Sequence, residues 1–555
     1  MSQPSHVYCN PINLPYRFQF PDRSAEAFRE AADPSVVVFN DRYWLFASKS
    51  GGYWYSSDMH DWQFVKSIVL PVEDYAPDVR VIDGWLYFTA SDNQNPCPIF
   101  RTQTPELDQW QKVCEPFAYW DPNLFEDEDG QVYLYWGCSN KVPIQGVKMD
   151  AQTMQPVGEP VALFGGKPEV HGWERCGENH STDARPFIEG AWMTKHQGRY
   201  YLQYAGPGTE WNVYADGVYV SDAPLGPYTY AQNNPYSYKP GGFAPGAGHG
   251  STFYDVHGNL WHMSTMRISV KHAFERRLGL FPAGFDDDGH LYCNTHFGDY
   301  PTILPQGKWD PWVDAFAGWM LLSYNKPATA SSVLDGHETV LAFNENIQQF
   351  WSASTGNQGE WLSVDLQRPC MIHAIQINFA EMHCASDAIH HTNQSHGYVL
   401  QVSDDDKQWQ TICDKSDSIV ALPHDMVHFK KPVTGRFVKI VNHHIPADGK
   451  FALCGLRVFG TTDQPTPVAV NQIDIQRHRD SSMDAALSWP VSSDAIGYNV
   501  LWGTSPDKLY HSWLVYDQNQ LHLGALDHDR AYHVRIDAFN EGGITLGQVV
   551  KMSMG

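Results

Sequence analysis

The sequence is short of positive charge. Its 38 Lys and Arg stand against 63 Asp and Glu, which gives a formal net charge of −25 at pH 7. Binding to nucleic-acid phosphates needs clustered Lys and Arg, so this balance argues against nucleic acid as a partner. It also disfavours adhesion to anionic membranes and to acidic polysaccharides. A neutral substrate fits the composition better.

The ten cysteines contain no C-x-x-C pair, which excludes a zinc ribbon and a thioredoxin-like motif. Their scattered spacing predicts free, buried thiols and no disulfide framework. No segment approaches the roughly 18 uninterrupted apolar residues that a membrane span needs. Residues 1–20 also lack the apolar run of a signal peptide. We therefore expect a cytoplasmic protein if the chain is complete, or a secreted one whose leader has been removed.

Aromatic residues, glycine and proline are abundant. Aromatics make up 14% of the 555 residues, with 20 Trp, and there are 44 Gly and 36 Pro. This composition is typical of a turn-rich, all-β protein, and a chain of this length is expected to form two to four domains.

One phrase recurs five times: a polar turn that runs into an aromatic and aliphatic strand. The copies cover residues 40–48, 82–91, 129–137, 197–205 and 256–264. A polar turn leading into strong strand formers predicts a hairpin. The spacing of roughly 40 to 70 residues predicts the blades of a five-bladed β-propeller. A large β-sandwich is the alternative, although a sandwich has no reason to reuse the same phrase.

Three carboxylates stand beside predicted strands of different repeats, namely Asp33, Asp121 and Glu189. Two or more carboxylates brought together from distant segments are the usual equipment for hydrolysing a glycosidic bond. Asp33 and Asp121 precede prolines, so we expect both in extended backbone. For each residue taken alone, a turn or capping role is the alternative.

Residues from about 25 to 305 resemble glycoside hydrolase family 43, a family of five-bladed, inverting enzymes. The resemblance rests on Asp33-Pro34, on residues 75–78 and 121–130, on Glu189-Gly190, and on residues 221–228 and 248–251. It implies that Asp33 is the general base, Glu189 the general acid, and Asp121 the residue that tunes and orients the acid. The family often has Glu-Gly-Pro at the acid, whereas this chain has Ala191 in the third place.

Further site residues follow from the same resemblance. His249 resembles a family histidine near the propeller axis that contacts a bound cation, and a hydrogen-bonded loop histidine is the alternative. No cofactor is required, although a structural Ca²⁺ near the axis is possible on this resemblance. Arg267 is a candidate for holding substrate hydroxyls, with an ion pair as the alternative. Trp54, Tyr75 and Trp120 are candidate walls of the sugar subsite, with core packing as the alternative.

The sequence pattern changes after the repeats, which indicates further domains. Residues 1–308 are assigned to the catalytic propeller and 309–320 to a connector packed against it. Residues 321–460 resemble the discoidin (factor 5/8 type C) sugar-binding β-sandwich, and residues 466–555 resemble a fibronectin type III β-sandwich. We expect the last module to be dispensable for catalysis, because all three carboxylates precede it.

The sequence therefore predicts an inverting, exo-acting glycoside hydrolase that acts on neutral, plant-type oligo- or polysaccharides. Arabinofuranose or xylose is the expected product, which makes the enzyme an α-L-arabinofuranosidase or a β-xylosidase. A galactose- or galactofuranose-releasing enzyme of the same fold is one alternative. A non-catalytic carbohydrate-binding or adhesion protein is the other.

Overall fold

The computed structural model describes residues 6–19, 26–72, 74–92, 94–384, 395–478 and 481–553. Within these ranges the regular secondary structure is almost entirely β-strand. Its helical content is short 3₁₀ turns at Pro105–Leu107, Gly172–Glu174, Glu178–His180, Thr339–Ala342 and Pro446–Asp448. None of the described helices is long and apolar enough to cross a membrane.

Five antiparallel sheets of four strands each, called sheets I to V here, follow one another along the chain. Sheet I contains Ala32–Phe39, Arg42–Ser48, Gly52–Ser56 and Gln63–Lys66. Sheet II contains Tyr75–Ile82, Trp85–Ser91, Ile99–Thr102 and Gln111–Cys114. Sheet III contains Asn123–Glu126, Val132–Trp136, Ile144–Met149 and Pro156–Phe164. Sheet IV contains Glu189–His196, Arg199–Gly206, Ala215–Ser221 and Thr229–Tyr230. Sheet V contains Gly248–Tyr254, Leu260–Arg267, Arg276–Phe285 and Leu291–Cys293. Each repeated phrase of the sequence forms a turn and the second strand of one sheet.

The first strands of the five sheets form a closed ring. Each of these inner strands contacts the inner strand of the next sheet, and that of sheet V returns to that of sheet I. At least one side-chain hydrogen bond crosses each junction. Five of these bonds, one for each junction, are Val79 N to Ser35 Oγ (2.9 Å), Leu124 N to Asp78 Oδ2 (2.7 Å), Met193 N to Asn123 Oδ1 (2.8 Å), Trp192 Nε1 to Thr252 O (2.9 Å) and Val36 N to Ser251 Oγ (3.1 Å). The inner strands are thus held at a common axis by polar side chains as well as by packing.

Two small antiparallel pairs accompany the ring. Val7–Tyr8 pairs with Thr302–Ile303, so the segment before sheet I joins the one after sheet V. Arg17–Gln19 pairs with Phe28–Glu30, immediately before the first inner strand.

Residues 320–461 form one eight-stranded sheet system. Its strands are Met320–Leu321, Ala328–Ala330, Trp351–Ser352, Trp361–Phe379, Gly397–Ser403, Gln410–Asp414, His424–His444 and Ala452–Thr461. Leu362, Val364, Ile440 and Leu456 are fully buried in its core.

The C-terminal segment forms two antiparallel sheets. The three-stranded sheet contains Asp474–Arg477, Ala485–Ser488 and Gln520–Leu523. The five-stranded sheet contains Gly497–Gly503, His511–Tyr516, Tyr532–Asn540, Gly543–Thr545 and Val550–Met552.

The C-terminal segment is not an independent module. Tyr204 and Tyr219 of sheet IV share one apolar cluster with Trp502 and Leu526 of the C-terminal sheets. Arg175, which precedes sheet IV, donates to both carboxylate oxygens of Asp484, at 2.6 and 3.0 Å. A shared core is lost when one side is removed, so the expectation that this segment is dispensable does not agree with the packing.

The connector packs as expected. The Trp309 ring stacks on Trp261 of sheet V, with centroids 5.1 Å apart. Trp312 lies edge-on to Tyr292 of sheet V, at 5.7 Å, and to Tyr510 of the C-terminal segment, at 5.3 Å. All ten cysteines are free; seven are buried, as predicted, and Cys114, Cys138 and Cys413 are half-buried.

Candidate active site

A four-residue motif opens every inner strand at the axis of the ring. Its second residue has a positive φ in all five copies: 53° at Asp33, 46° at Ala76, 50° at Asp121, 62° at Gly190 and 46° at His249. Its fourth residue takes part in the bond to a neighbouring sheet described above. The motif therefore places one residue of each sheet at the axis.

The prediction of extended backbone at the two Asp-Pro steps is wrong. Asp33 and Asp121 both have the left-handed φ that non-glycine residues rarely adopt. Bonds from other sheets hold this conformation. Asp33 N donates to Thr265 Oγ1 of sheet V at 2.8 Å, and Asp121 N donates to Ser91 Oγ of sheet II at 2.8 Å. Strained backbone of this kind, fixed by its surroundings, is common at functional sites.

The Asp33 carboxylate is buried and fully engaged. Oδ2 accepts from Ser48 Oγ at 2.6 Å, and Oδ1 accepts from Arg276 Nη1 at 3.1 Å. Burial alone raises the pKa of Asp33, but the charges of Arg276 and His249 and the hydroxyl bonds outweigh it. The pKa of Asp33 therefore lies below its usual value, and the group is an anion at neutral pH.

Arg276 is a site residue that the sequence did not reveal. Its Nε and Nη2 donate to Glu30 Oε1 at 3.2 and 2.7 Å, while Nη1 faces Asp33. Both Glu30 and Arg276 are almost fully buried. The only sequence signal was two adjacent arginines in a chain with few cations. Nothing local relates them to Asp33, 243 residues away.

Glu189 and Asp121 lie close together. Oxygen atoms of these two carboxylates and Cys138 Sγ all lie within 4.8 Å of one another. Burial raises the pKa of Asp121 well above its usual value, the charge of His249 opposes this increase, and the charges of Glu189 and Asp33 add to it. Two carboxylates this close cannot both ionise freely.

Two further side chains orient Glu189, and neither was predicted. Tyr214 donates its hydroxyl to Oε1, and Cys138 Sγ donates to Oε2 at 3.0 Å. Burial raises the pKa of the Cys138 thiol far above its ordinary value, and the charges of Asp121 and Glu189 add to this increase. Cys138 therefore acts as a neutral hydrogen-bond donor.

His249 bridges the two aspartates. Its Nδ1 lies 3.4 Å from Asp33 Oδ1 and 3.8 Å from Asp121 Oδ2. Burial lowers the pKa of His249, but the charges of Asp33, Asp121 and Glu189 raise it more, so it lies above the usual value. The imidazolium form balances charge at the axis.

The prediction of a metal at His249 finds little support in its surroundings. Calcium is bound by six to eight oxygens in typical sites. Nδ1 of His249 itself occupies the position next to the two carboxylates that a bound cation would take. One of these carboxylates, that of Asp33, already pairs with Arg276. Among the described residues, the groups of three or more potential ligands that lie within 4.8 Å of one another do not include His249. These residues do not fit a calcium site.

The other predicted site residues differ in position. Trp54 is fully buried in the core next to Phe64, so its assignment to the subsite wall is wrong. Tyr75 is half-buried, with Arg276 5.8 Å from its ring centroid, and therefore lies near the Arg276–Asp33 pair. Trp120 is half-buried and immediately precedes Asp121.

Arg267 has protein partners. Its Nη1 pairs with Glu178 at 2.5 Å, and its Nη2 donates to Gln348 Oε1 at 3.3 Å. Both ends of the guanidinium are thus occupied, which agrees with the ion-pair alternative and not with a substrate-holding role.

Two protein-family models match this chain, one over the five-sheet ring and one over the eight-stranded sheet system. Residues 28–291 match the model of glycosyl hydrolases family 43, and residues 327–455 match the F5/8 type C domain. The chain carries a family 43 glycosyl hydrolase domain. The predicted enzyme class, a glycoside hydrolase, is confirmed, and so is the discoidin-type domain that follows it.

Three curated relatives are similar to part of the chain. The xylosidase/arabinosidase 43A of Humicola insolens is 28% identical over 267 residues, covering 36% of this chain and 78% of the relative. A xylosidase/arabinosidase of Bacteroides ovatus is 26% identical over 266 residues, covering 36% of this chain and 76% of the relative. The β-D-galactofuranosidase xynD of Aspergillus niger is 25% identical over 263 residues, covering 40% of this chain and 69% of the relative.

Proposed function

We propose that this protein is an exo-acting, inverting glycoside hydrolase that releases arabinofuranose or xylose from neutral oligo- or polysaccharides. The observation that carries the proposal is the difference between the surroundings of two carboxylates in one buried cluster. Asp33 pairs with a buried arginine, whereas Glu189 lies beside a second carboxylate and two neutral donors.

The proposed chemistry follows from these environments. An inverting glycosidase needs one ionised carboxylate to activate water and one carboxylic acid to protonate the leaving oxygen. In this scheme Asp33, kept ionised by Arg276, removes the proton from water. Glu189 protonates the leaving oxygen, and Asp121, whose carboxylate lies beside that of Glu189, orients the acid. His249, as an imidazolium next to both aspartates, offsets their negative charges. The calcium ion expected near the axis is not part of this scheme, because the residues around His249 do not fit a calcium site.

The proposal extends to the architecture. We assign the five sheets to a five-bladed propeller within residues 1–308, followed by the connector 309–320, a discoidin-like domain at 321–460 and a fibronectin type III-like domain at 466–555. The closed ring of inner strands supports the blade count, and the two packed C-terminal sheets support the last assignment.

The sugar is proposed from two relatives whose names include both xylosidase and arabinosidase activity. Galactofuranose is the second candidate, because another relative is named a β-D-galactofuranosidase. A panel of aryl glycosides of these sugars distinguishes the candidates. Absence of turnover on the panel and on natural oligosaccharides would favour the carbohydrate-binding alternative.

Two variants test the roles. We expect Asp33→Asn and Glu189→Gln each to lower kcat by about 10²–10⁴-fold with the fold intact by circular dichroism. Glu189→Gln must be measured on a natural oligosaccharide, because a good aryl leaving group needs little protonation. Retention of more than about a tenth of wild-type kcat would exclude the assigned role. By NMR, the first-formed sugar should have the anomeric configuration opposite to that of the cleaved bond.

A further inference from the structure

The strands that carry Glu30 and Arg276 have a second face, which points away from the catalytic axis. Side chains of consecutive strand residues point to opposite faces. Arg29 precedes Glu30, and Arg277 follows Arg276, so both of these arginines point the other way. They enter the F5/8 type C domain and are almost fully buried there.

Arg277 binds the backbone of the two strands that carry Glu30 and Arg276. Its Nη1 donates to the carbonyl oxygens of Arg29 and of Arg276, the latter at 2.9 Å. The two strands also meet directly, because Ala31 N donates to Arg276 O at 3.4 Å. A single guanidinium thus joins the two backbones from which Glu30 and Arg276 project.

The F5/8 type C domain in turn holds Arg277. Its Nε donates to His424 Nε2 at 2.8 Å, and His424 Nδ1 lies 2.7 Å from Asn378 Oδ1. An arginine only donates and an amide oxygen only accepts, so His424 is neutral and carries its proton on Nδ1. Burial lowers the pKa of His424 well below its usual value, and the charges of Arg277 and Arg29 add to this decrease, in agreement with that tautomer.

Arg29 is held in a similar way. Its Nε pairs with Glu381 Oε1 at 2.5 Å, with both side chains at most 3% exposed. Lys271 Nζ, next to sheet V, donates to the carbonyl oxygen of Glu381 at 2.6 Å. A buried ion pair whose partners are fully hydrogen-bonded fixes geometry, and removal of one partner is strongly disruptive.

We propose that Glu381 and His424 of the F5/8 type C domain are positioning residues for the base Asp33, a role that rests on the function proposed above. They act through Arg29 and Arg277, which set where Arg276 stands relative to the Asp33 carboxylate. The F5/8 type C domain is thus part of the catalytic architecture, whatever else it binds.

The test compares Glu381→Ala and His424→Ala with Glu345→Ala in the full chain. Glu345 is the matched control, because it forms an equally buried pair with Arg457 in the same domain, at 2.7 Å, but contacts none of the residues placed in the active site. We expect kcat of the two test variants to fall about tenfold or more, with a smaller change in KM. We also expect the acidic limb of the pH–rate profile to move to higher pH, because Arg276 no longer stabilises the Asp33 anion. Glu381→Gln keeps an acceptor oxygen and should restore part of the activity. The control should lose heat stability without moving that limb.

A crystal structure of each variant provides a readout that does not need turnover. The Arg276 Nη1 to Asp33 Oδ1 contact, 3.1 Å in the wild type, should be broken in the test variants and kept in the control. If the alanine variants do not fold, Glu381→Gln is measured in their place, with a smaller shift expected. An unchanged acidic limb and an unchanged contact in folded variants would overturn the proposal, as would an equal limb shift in Glu345→Ala. If the wild type hydrolyses no glycoside, the proposed function fails, and the crystallographic contact still decides the positioning.

Discussion

Gly190 and His249 touch at the axis of the ring. A Cβ atom built on Gly190 would lie 2.8 Å from the Cγ and Cδ2 atoms of the His249 ring, closer than real Cβ contacts occur. Gly190 also has a φ of 62°. The residue after the proposed acid therefore has no side chain so that the imidazole can reach both aspartates.

We expect Gly190→Ala to displace His249 and lower kcat by about tenfold or more, with the fold kept. Gly198→Ala is the matched control, because Gly198 has a φ of 78° but open space within 4 Å of the position that a Cβ atom would occupy. Both variants carry the cost of a positive φ, of roughly 1–2 kcal/mol. Only Gly190→Ala should lose activity, and equal kcat values in the two variants would contradict the contact.

Arg276 lowers the pKa of Asp33, and its removal should be visible in the pH dependence of the reaction. The proposed base works as an anion, so we expect activity to be lost as pH falls through its pKa. Without the arginine charge that pKa rises, and we expect the acidic limb of Arg276→Met to move to higher pH. Arg80→Met is the control, since Arg80 is stacked on Trp192 at 3.5 Å and has no bond to the three proposed catalytic carboxylates. An acidic limb that stays in place would exclude Arg276 as the group that keeps Asp33 ionised.

Asp121 should affect the opposite limb. Its carboxylate lies within 4.8 Å of that of Glu189, and two carboxyl groups this close titrate as a pair that keeps one proton to higher pH than a single carboxyl group would. We expect the alkaline limb of Asp121→Asn to move to lower pH and the profile to narrow, measured as kcat/KM against pH. A lower activity with an unchanged alkaline limb would instead indicate a substrate-holding or structural role.

The repeat and the carboxylates could be predicted from sequence because their signals are local. Each turn and second strand lies within about ten residues, and the same phrase recurs in every sheet. The left-handed backbone of Asp33 could not be predicted, since the proline rule describes local sterics. The bond that holds this conformation comes from Thr265, 232 residues away.

The same limit explains the missed and misassigned side chains. Cys138 and Tyr214 reach Glu189 only once the ring has closed, 51 and 25 residues away in sequence. Trp54 and Trp120 look alike in sequence because both lie in aromatic segments. Both faces of a blade are covered by neighbouring sheets, so strand alternation does not show which tryptophan stays accessible.

Glu174 should make stability depend on pH. Burial raises its pKa to about 7, although Tyr204 donates to Oε1 at 2.6 Å. A folded-state pKa above the unfolded value of 4.5 means that the folded protein holds the proton longer. Its contribution is therefore full below about pH 4.5 and is lost as pH rises to about 7, by roughly 3 kcal/mol in total.

Glu174→Gln removes this titration. We expect the free energy of unfolding of the wild type to fall more between pH 4.5 and 7.5 than that of the variant, measured by urea unfolding at each pH. Glu159→Gln, an exposed residue of sheet III, should follow the wild type. A Glu174→Gln protein with the wild-type pH dependence would show that Glu174 does not titrate in this range.

The C-terminal sheets should be required for a stable catalytic domain. Besides the shared apolar cluster, Gly172 N donates to Leu526 O at 3.0 Å, and a Cβ at Gly172 would collide with the carbonyl oxygen of Gly524. The segment that contains Gly172 precedes Glu189 in sequence, and the C-terminal sheets hold this segment in place. In a chain ending at Gly460, the side chains of sheet IV that pack on the C-terminal sheets, such as Tyr204 and Tyr219, lose this cover.

We expect this truncated protein to aggregate, or to melt well below the full chain with reduced turnover, because the exposed face includes large aromatic residues. Size-exclusion chromatography, thermal melting and kcat on an aryl glycoside measure the three effects. Asp484→Asn in the full chain is a milder probe, since it weakens the 2.6 Å pair with Arg175 and keeps the apolar contact. It should lower the melting temperature by less than the truncation does. A monomeric, equally heat-stable and fully active truncated protein would show instead that the C-terminal sheets are a separable module.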